Sequence, residues 1–180
     1  VWTAKDDAGN SSSVPQIVIV KDTTAPVITA PANVTEESTG LQTTVAIGVA
    51  TGTDAVGPVT ITSNAPETFP VGTTTVTWKA TDEAGNFSTA TQVVTVEDTT
   101  APVITGVVDM AEDATGLLTQ VTLTVPTATD AVGVVSLTND VPAAGYPVDS
   151  TTTVTWTATD AAGNSSTSIQ TVTIKPFLIT

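Results

Sequence analysis

Residues Val76–Thr105 read VTWKATDEAGNFSTATQVVTVEDTTAPVIT, and two further copies of this stretch occur in the chain. The N-terminal copy, Val1–Thr29, is VWTAKDDAGNSSSVPQIVIVKDTTAPVIT; the C-terminal copy, Val154–Thr180, is VTWTATDAAGNSSTSIQTVTIKPFLIT and departs in its last part. In the run Thr73–Trp78, Thr alternates with Val and Trp at period 2, the pattern of a strand with one face buried. The Asp82–Phe87 segment, with Gly85 and Asn86, supplies a turn, and a second alternating run follows to Val96. The stretch therefore predicts a hairpin followed by a short linker, Glu97-Asp98-Thr99-Thr100.

Working outward, Asp22 and Asp98 are 76 residues apart, as are Asp54 and Asp130, while Trp78 and Trp156 are 78 apart. A period of this kind marks a tandem array. The expected organisation of the 180 residues is two whole repeats, 22–97 and 98–174, preceded at 1–21 by the last two strands of another repeat. Residues 175–180 are expected to form a linker or the first strand of a following repeat. The slip from 76 to 78 places insertions near Gly145 and Ser150. A chain starting inside a repeat is expected to be a piece of something longer.

No helical periodicity competes with these alternating runs, and turn signals recur about every 8 to 12 residues, as in β-sandwiches. The first whole repeat follows an immunoglobulin-like strand order. Its strands are expected near Pro26–Thr29, Asn33–Glu37, Gln42–Gly48, Val59–Thr62, Glu67–Phe69, Thr73–Thr81 and Ser88–Val96. Pro31 separates the first two, as a proline is tolerated only at an edge or a crossover. The fold class is thus all-β, with tandem immunoglobulin-like Greek-key β-sandwiches arranged end to end. Trp2, Trp78 and Trp156 share one strand position and are expected to face the core.

Composition narrows the function. The 18 acidic and 4 basic residues leave a net charge of −14, which disfavours nucleic acid and anionic membrane surfaces as partners and favours cations. Hydrophobic residues make up 40% of the chain, enough to set it apart from a disordered acidic tail. There is no apolar span long enough for a membrane helix and no signal-peptide pattern. Without His, Cys or a nucleophile-elbow serine, and with Glu36 and Glu37 adjacent in a strand and so pointing to opposite faces, an enzyme is not expected. A repeat of about 76 residues buries only roughly 60 to 65% of its unfolded surface, and zero cysteines rule out disulfides as the added constraint. Bound metal or packing between repeats remains.

The strand order brings acidic loops together. Asp22 lies in the linker entering the first whole repeat, Asp54 in the loop between the strands expected at Gln42–Gly48 and Val59–Thr62, and Asp82 and Asn86 in the hairpin turn, all at one pole. The equivalents in the next repeat are Asp98, Asp130, Asp160 and Asn164, and in the N-terminal copy Asp6 and Asn10. Glu36 and Glu37 are expected at the opposite pole, within reach of Glu97 and Asp98. Clustered carboxylates repel, few Lys or Arg residues offset them, and an all-oxygen set without His or Cys suits Ca²⁺. Calcium is therefore expected at Asp98 first, similarly at Asp22, and weakly or not at all at Lys175, where a cation replaces the acid. The same Asp and Asn residues also suit plain turn capping through side-chain to backbone hydrogen bonds. The Asn10, Asn33, Asn86 and Asn164 sequons indicate glycosylation weakly.

Three segments together, DTTAPVITAPANVT at 22–35, TDAVG at 53–57 and FPVGTTTVTWKATDEAGN at 69–86, carry a resemblance that covers nearly the whole chain. The pattern resembles the hyalin repeat, an immunoglobulin-like module of extracellular and cell-surface proteins, and its lack of cysteine is similar to the versions in bacterial repetitive surface proteins. The resemblance implies an extracellular or cell-surface location. It implies a structural segment of a fibre or adhesin stalk, its partners being neighbouring repeats or other copies in a filament. The alternatives are a module that binds a glycan or cell surface, and a filament subunit assembled by β-strand complementation.

Overall fold

The computed structural model describes residues 1–177; the last part of the expected strand at 175–180 lies outside them. Among the described residues every regular element is a strand. The chain is all-β, with several sheets in a sandwich-like arrangement. It divides into two compact units, one of residues 1–31, 48–64 and 76–92, the other of residues 32–47, 65–75 and 93–177.

In the first unit, β1 (Trp2–Lys5) and β2 (Ser11–Val14) form an antiparallel hairpin. The ladder of β3 (Val27–Thr29) requires a partner from later in the chain. The second unit's β4 (Val34–Glu37) and β5 (Gln42–Thr43) intervene before that partner, β6 (Thr51–Thr53), pairs antiparallel with β3. Here structure and expectation differ. The alternation predicts a continuous strand over Gln42–Gly48, but only Gln42–Thr43 joins a ladder, opposite β8 (Phe69–Pro70). Gly48, with φ +74° and a backbone on which a Cβ would sit 3.4 Å from Pro31, bends the chain between the two ladders.

The long hairpin is as the alternation predicts. β7 (Thr60–Ser63) lies beside β9 (Gly72–Thr81), β9 beside β10 (Phe87–Glu97), and β10 beside β4, in the order β4-β10-β9-β7. Val94–Glu97 of β10 pair in parallel with Val34–Glu37 of β4. Val76, Trp78 and Ala80 point inward and are buried, while Thr77 is only half-buried and Lys79 is exposed. Period 2 and burial coincide because one face of the sheet is covered.

The second repeat repeats this arrangement. β11 (Val103–Thr105) pairs with β14 (Thr127–Thr129), and β13 (Leu118–Thr119) with β16 (Tyr146–Pro147). β12 (Met110–Asp113), β18 (Ser165–Lys175), β17 (Ser150–Asp160) and β15 (Val134–Asn139) form the four-stranded sheet in that order. Tyr146, Val154, Val172 and Ile174 make its core, with Val121, Leu123 and Val141 packed against them. Asp149, at φ +51° between β16 and β17, stands where the first repeat has Gly72 at φ +108°.

The three equivalent tryptophans part company. Trp78 is 6% and Trp156 2% exposed, but Trp2 is 71% exposed, contrary to the expectation that all three face a core. The β1–β2 hairpin stands as a two-stranded sheet whose residues are all exposed, with no second layer over it among the described residues. Each indole N–H nevertheless makes the same bond, to a glutamine 14 residues later: Trp2 to Gln16, Trp78 to Gln92 and Trp156 to Gln170, at 2.6, 3.1 and 2.9 Å.

Candidate metal centre

The hairpin turn is built the same way in every copy. Asp160 N–H donates to the Asn164 carbonyl (3.1 Å), Asn164 N–H donates to Asp160 Oδ1 (2.8 Å), and Asn164 Nδ2 donates to Asp160 Oδ2 (2.9 Å). Asp82 with Asn86 and Asp6 with Asn10 repeat these contacts. The glycine before each asparagine has φ near +90°, which explains Ala-Gly-Asn at this place: the turn needs a left-handed residue there. Turn capping is therefore part of what these acids do.

The asparagine also reaches out of its turn. Asn164 Nδ2 donates to the Asp98 backbone carbonyl (2.9 Å), and Asn86 Nδ2 to that of Asp22 (3.3 Å). Ser166 Oγ donates to the Pro102 carbonyl beside it, and Ser88 Oγ to that of Pro26 (2.5 Å). These bonds hold each linker against its hairpin.

Two carboxylate triads result, Asp22 with Asp54 and Asp82, and Asp98 with Asp130 and Asp160. In each, one oxygen from every residue lies within 4.8 Å of the others. That spacing suits a single ion with oxygens at about 2.4 Å, the Ca²⁺ range. Each triad falls inside one compact unit.

The triads differ in what their acids already hold. Asp54 Oδ1 accepts from Val56 N–H (2.9 Å), and Asp130 Oδ1 from the N–H groups of Val132 (2.8 Å) and Gly133 (3.0 Å). Asp22 is half-buried and accepts from Thr24 N–H (3.0 Å). Asp98 is only 8% exposed, and neither of its buried oxygens accepts a well-formed hydrogen bond. Burial, then the charge of Asp130, push the Asp98 carboxyl up; Asp160 and Glu37 add to this, and the nearby Thr100 N–H offsets only part. Burial also acts on Asp160 and Asp82, but the N–H groups of Asn164 and Asn86 outweigh it and hold both below the usual carboxylate range. Asp98 is thus a buried carboxyl without a well-formed hydrogen bond, grouped with two other acids.

The remaining expected ligands lie elsewhere. Asn86 and Asn164 sit at the triads, where their Nδ2 groups donate to linker and turn. Asp6 and Asn10 close the first hairpin and belong to no triad among the described residues. Glu36 and Glu97 are exposed and lie on paired strands, with the Glu97 carbonyl accepting Ser38 N–H (2.7 Å). Glu37 is bonded to the linker: Oε1 accepts from Thr99 N–H (2.9 Å) and the Thr100 hydroxyl (2.8 Å), and Oε2 from the Thr99 hydroxyl (2.8 Å). Those bonds, led by the Thr99 N–H, hold the Glu37 carboxyl below its usual range. At the corresponding place in the second repeat, Asp113 pairs with Lys175 at 3.2 Å, on the surface. The glutamines that anchor the tryptophans were missed, although a Gln stands 14 residues after each Trp in all three copies.

The profile of the HYR domain matches residues 21–96 and again 97–174. The chain belongs to the HYR domain family. Two relatives of these HYR domains are sea-urchin proteins named hyalin. That of Strongylocentrotus purpuratus is 36% identical over 178 residues, covering 91% of this chain and 15% of its own length. That of Lytechinus variegatus is 34% identical over 172 residues, covering 87% and 32%. The chain thus spans a third or less of either relative, and neither supports the bacterial qualifier of the expectation. Among solved structures, the HYR pair is similar to human protocadherin-24 EC1-2 form II (13% identity, TM-score 0.38, 86% of this chain and all of that one). It is also similar to the protocadherin gamma B2 extracellular cadherin domains 1–5 (14% identity, TM-score 0.40, 98% and 45%).

Proposed function

We propose that these HYR domains are a non-enzymatic structural segment of an extracellular or cell-surface array, in which Ca²⁺ bound at the linkers restrains the chain between successive repeats. One observation carries the reading: the Asp98 carboxylate is buried, unpartnered and faces Asp130 and Asp160. Three anions so placed destabilise an ion-free protein, and a divalent cation converts the repulsion into attraction. Carboxylates already oriented by backbone N–H groups, as in Asp130, and by Asn164, as in Asp160, make a preset oxygen cage. The chemistry excludes soft donors, since the chain has no cysteine and no histidine. The Asp22 triad is the corresponding site one repeat earlier, and Pro176 stands at the place that Asp98 holds, with Lys175 beside it paired to Asp113.

Extracellular modules commonly bind Ca²⁺ with Kd of about 10⁻⁴ to 10⁻³ M, so saturation is expected at millimolar calcium. The partners are neighbouring repeats of the same protein or other copies in an assembly. Thermal unfolding of the purified chain in 2 mM EDTA and in about 5 mM CaCl₂ tests the cation reading, with a higher midpoint expected in calcium. Identical midpoints and identical protease resistance in the two buffers would remove it.

A further inference from the structure

Both whole repeats are entered through the tripeptide Asp-Thr-Thr, and the two copies are held differently. In Asp22-Thr23-Thr24 the aspartate caps its own turn, Oδ1 accepting from Thr24 N–H (3.0 Å). In Asp98-Thr99-Thr100 the equivalent Thr100 N–H lies near the Asp98 carboxylate without forming a well-made bond, and the linker has a second hold. Glu37, 62 residues upstream of Thr99, takes the Thr99 N–H and both threonine hydroxyls. On its other side Asp98 is held by Asn164 through its carbonyl (2.9 Å). β4 delivers Glu37 to this place because Glu37 stands opposite Glu97, the last residue of β10 and the one before Asp98.

From this second hold, and resting on the calcium reading above, we infer that Glu37 is a positioning residue for the Asp98 site: it fixes Thr99 and Thr100 so that the adjoining Asp98 carboxylate stays turned toward Asp130 and Asp160. Glu37 is not itself one of the three clustered oxygens. Its carboxylate has three donors of its own and is exposed, while Asp98 is buried and accepts no well-formed hydrogen bond. Outer partners that orient ligands typically change metal affinity by about 10- to 100-fold when removed. The consequence is that cation affinity at a linker depends on the repeat before it, which supplies the glutamate.

The test is a calcium titration of the whole chain followed by amide NMR, reading Thr99–Thr100 for the Asp98 site and Val56–Gly57 for the Asp22 site. Two variants separate positioning from charge. Glu37→Ala removes all three bonds and one negative charge. Thr99→Val with Thr100→Val removes the two hydroxyl bonds and leaves every carboxylate in place. Both are expected to weaken calcium binding at Asp98 by about tenfold or more and leave the Asp22 site unchanged. Melting in EDTA checks that each variant is folded. If both variants bind at Asp98 as the parent does, the positioning role is overturned. Loss in Glu37→Ala alone, with the double threonine variant unchanged, also overturns it and makes Glu37 a charge or a ligand. If the parent takes up no calcium at Asp98, the cation reading fails, an outcome separate from both.

Discussion

The side-chain nitrogen Nδ2 of Asn164 lies 2.9 Å from the backbone carbonyl oxygen of Asp98, joining a hairpin turn to a linker 66 residues earlier. The same nitrogen donates to Asp160 Oδ2, so one amide aligns two of the three clustered acids. Asn164→Ala removes both bonds but keeps the turn's backbone contacts. The expected cost is about 1 to 3 kcal/mol in urea unfolding, together with weaker calcium binding at Asp98. Unchanged stability and affinity would show that the linker is held by other contacts alone.

Asp98→Asn separates fold from cation. In chelator this variant is expected to melt higher than the parent, because it removes a buried charge that the Thr100 N–H offsets only in part and that Asp130 and Asp160 repel. In calcium it is expected to gain little or nothing. A lower midpoint in EDTA would mean that the ionised Asp98 is stabilised by something other than a cation.

Asp109 offers a pH prediction clear of the site. It accepts Thr171 N–H (2.7 Å), as Asn33 accepts Val93 N–H (2.9 Å) in the preceding repeat, and the Thr171 bond holds its carboxyl below the usual range. A depressed folded-state value means that the folded chain binds the proton less tightly than the unfolded one. The stabilisation is therefore present above the ordinary aspartate value of 3.8 and is lost as pH falls through the lower folded-state value. Asp109→Asn is expected to match the parent closely at neutral pH and to lose less stability on acidification to pH 2. Parallel melting curves for parent and variant between pH 5 and pH 2 would contradict this.

Gln170 accepts the Trp156 N–H at 2.9 Å in the second repeat's interior, and its own Nε2 donates to the Val108 carbonyl at 2.5 Å at the edge of that interior. Gln170→Leu strands a buried indole N–H and a carbonyl. A loss of about 2 to 4 kcal/mol is expected, from roughly 1 to 3 kcal/mol for each unsatisfied group partly offset by the apolar side chain. Gln16→Leu, at the equivalent exposed pair in the N-terminal hairpin, is expected to change stability by under about 0.5 kcal/mol. Equal effects from the two would mean that burial is not what gives the bond its weight.

The long hairpins were legible in the sequence because Val76, Trp78 and Ala80 alternate with Thr and Lys, and period 2 has one structural meaning when a single face is covered. The Asp82–Asn86 turn was legible because Gly85 must adopt positive φ and an Asp and an Asn flank it at hydrogen-bonding distance. Strand topology followed from these, and with it the meeting of Asp98, Asp130 and Asp160 from three separated segments. The break after Thr43 was not legible, since Val45 and Ile47 continue the alternation while Gly48 bends the chain. Nor was the fate of Trp2, whose local sequence matches that of Trp78 but whose hairpin has no covering layer.

What the sequence by itself determined is therefore the local chemistry: which residues make strands, which make turns, and that the donors available to a cation are oxygens. Only the tertiary structure decided the rank order among carboxylates of the same type. Asp22 and Asp98 stand in the same Asp-Thr-Thr tripeptide, yet one spends an oxygen on its own turn while the other is buried with both oxygens free. The second linker is also held by Glu37, brought to Thr99 by the parallel pairing of β4 with β10, and a residue 62 positions away leaves no mark in the local sequence of the linker.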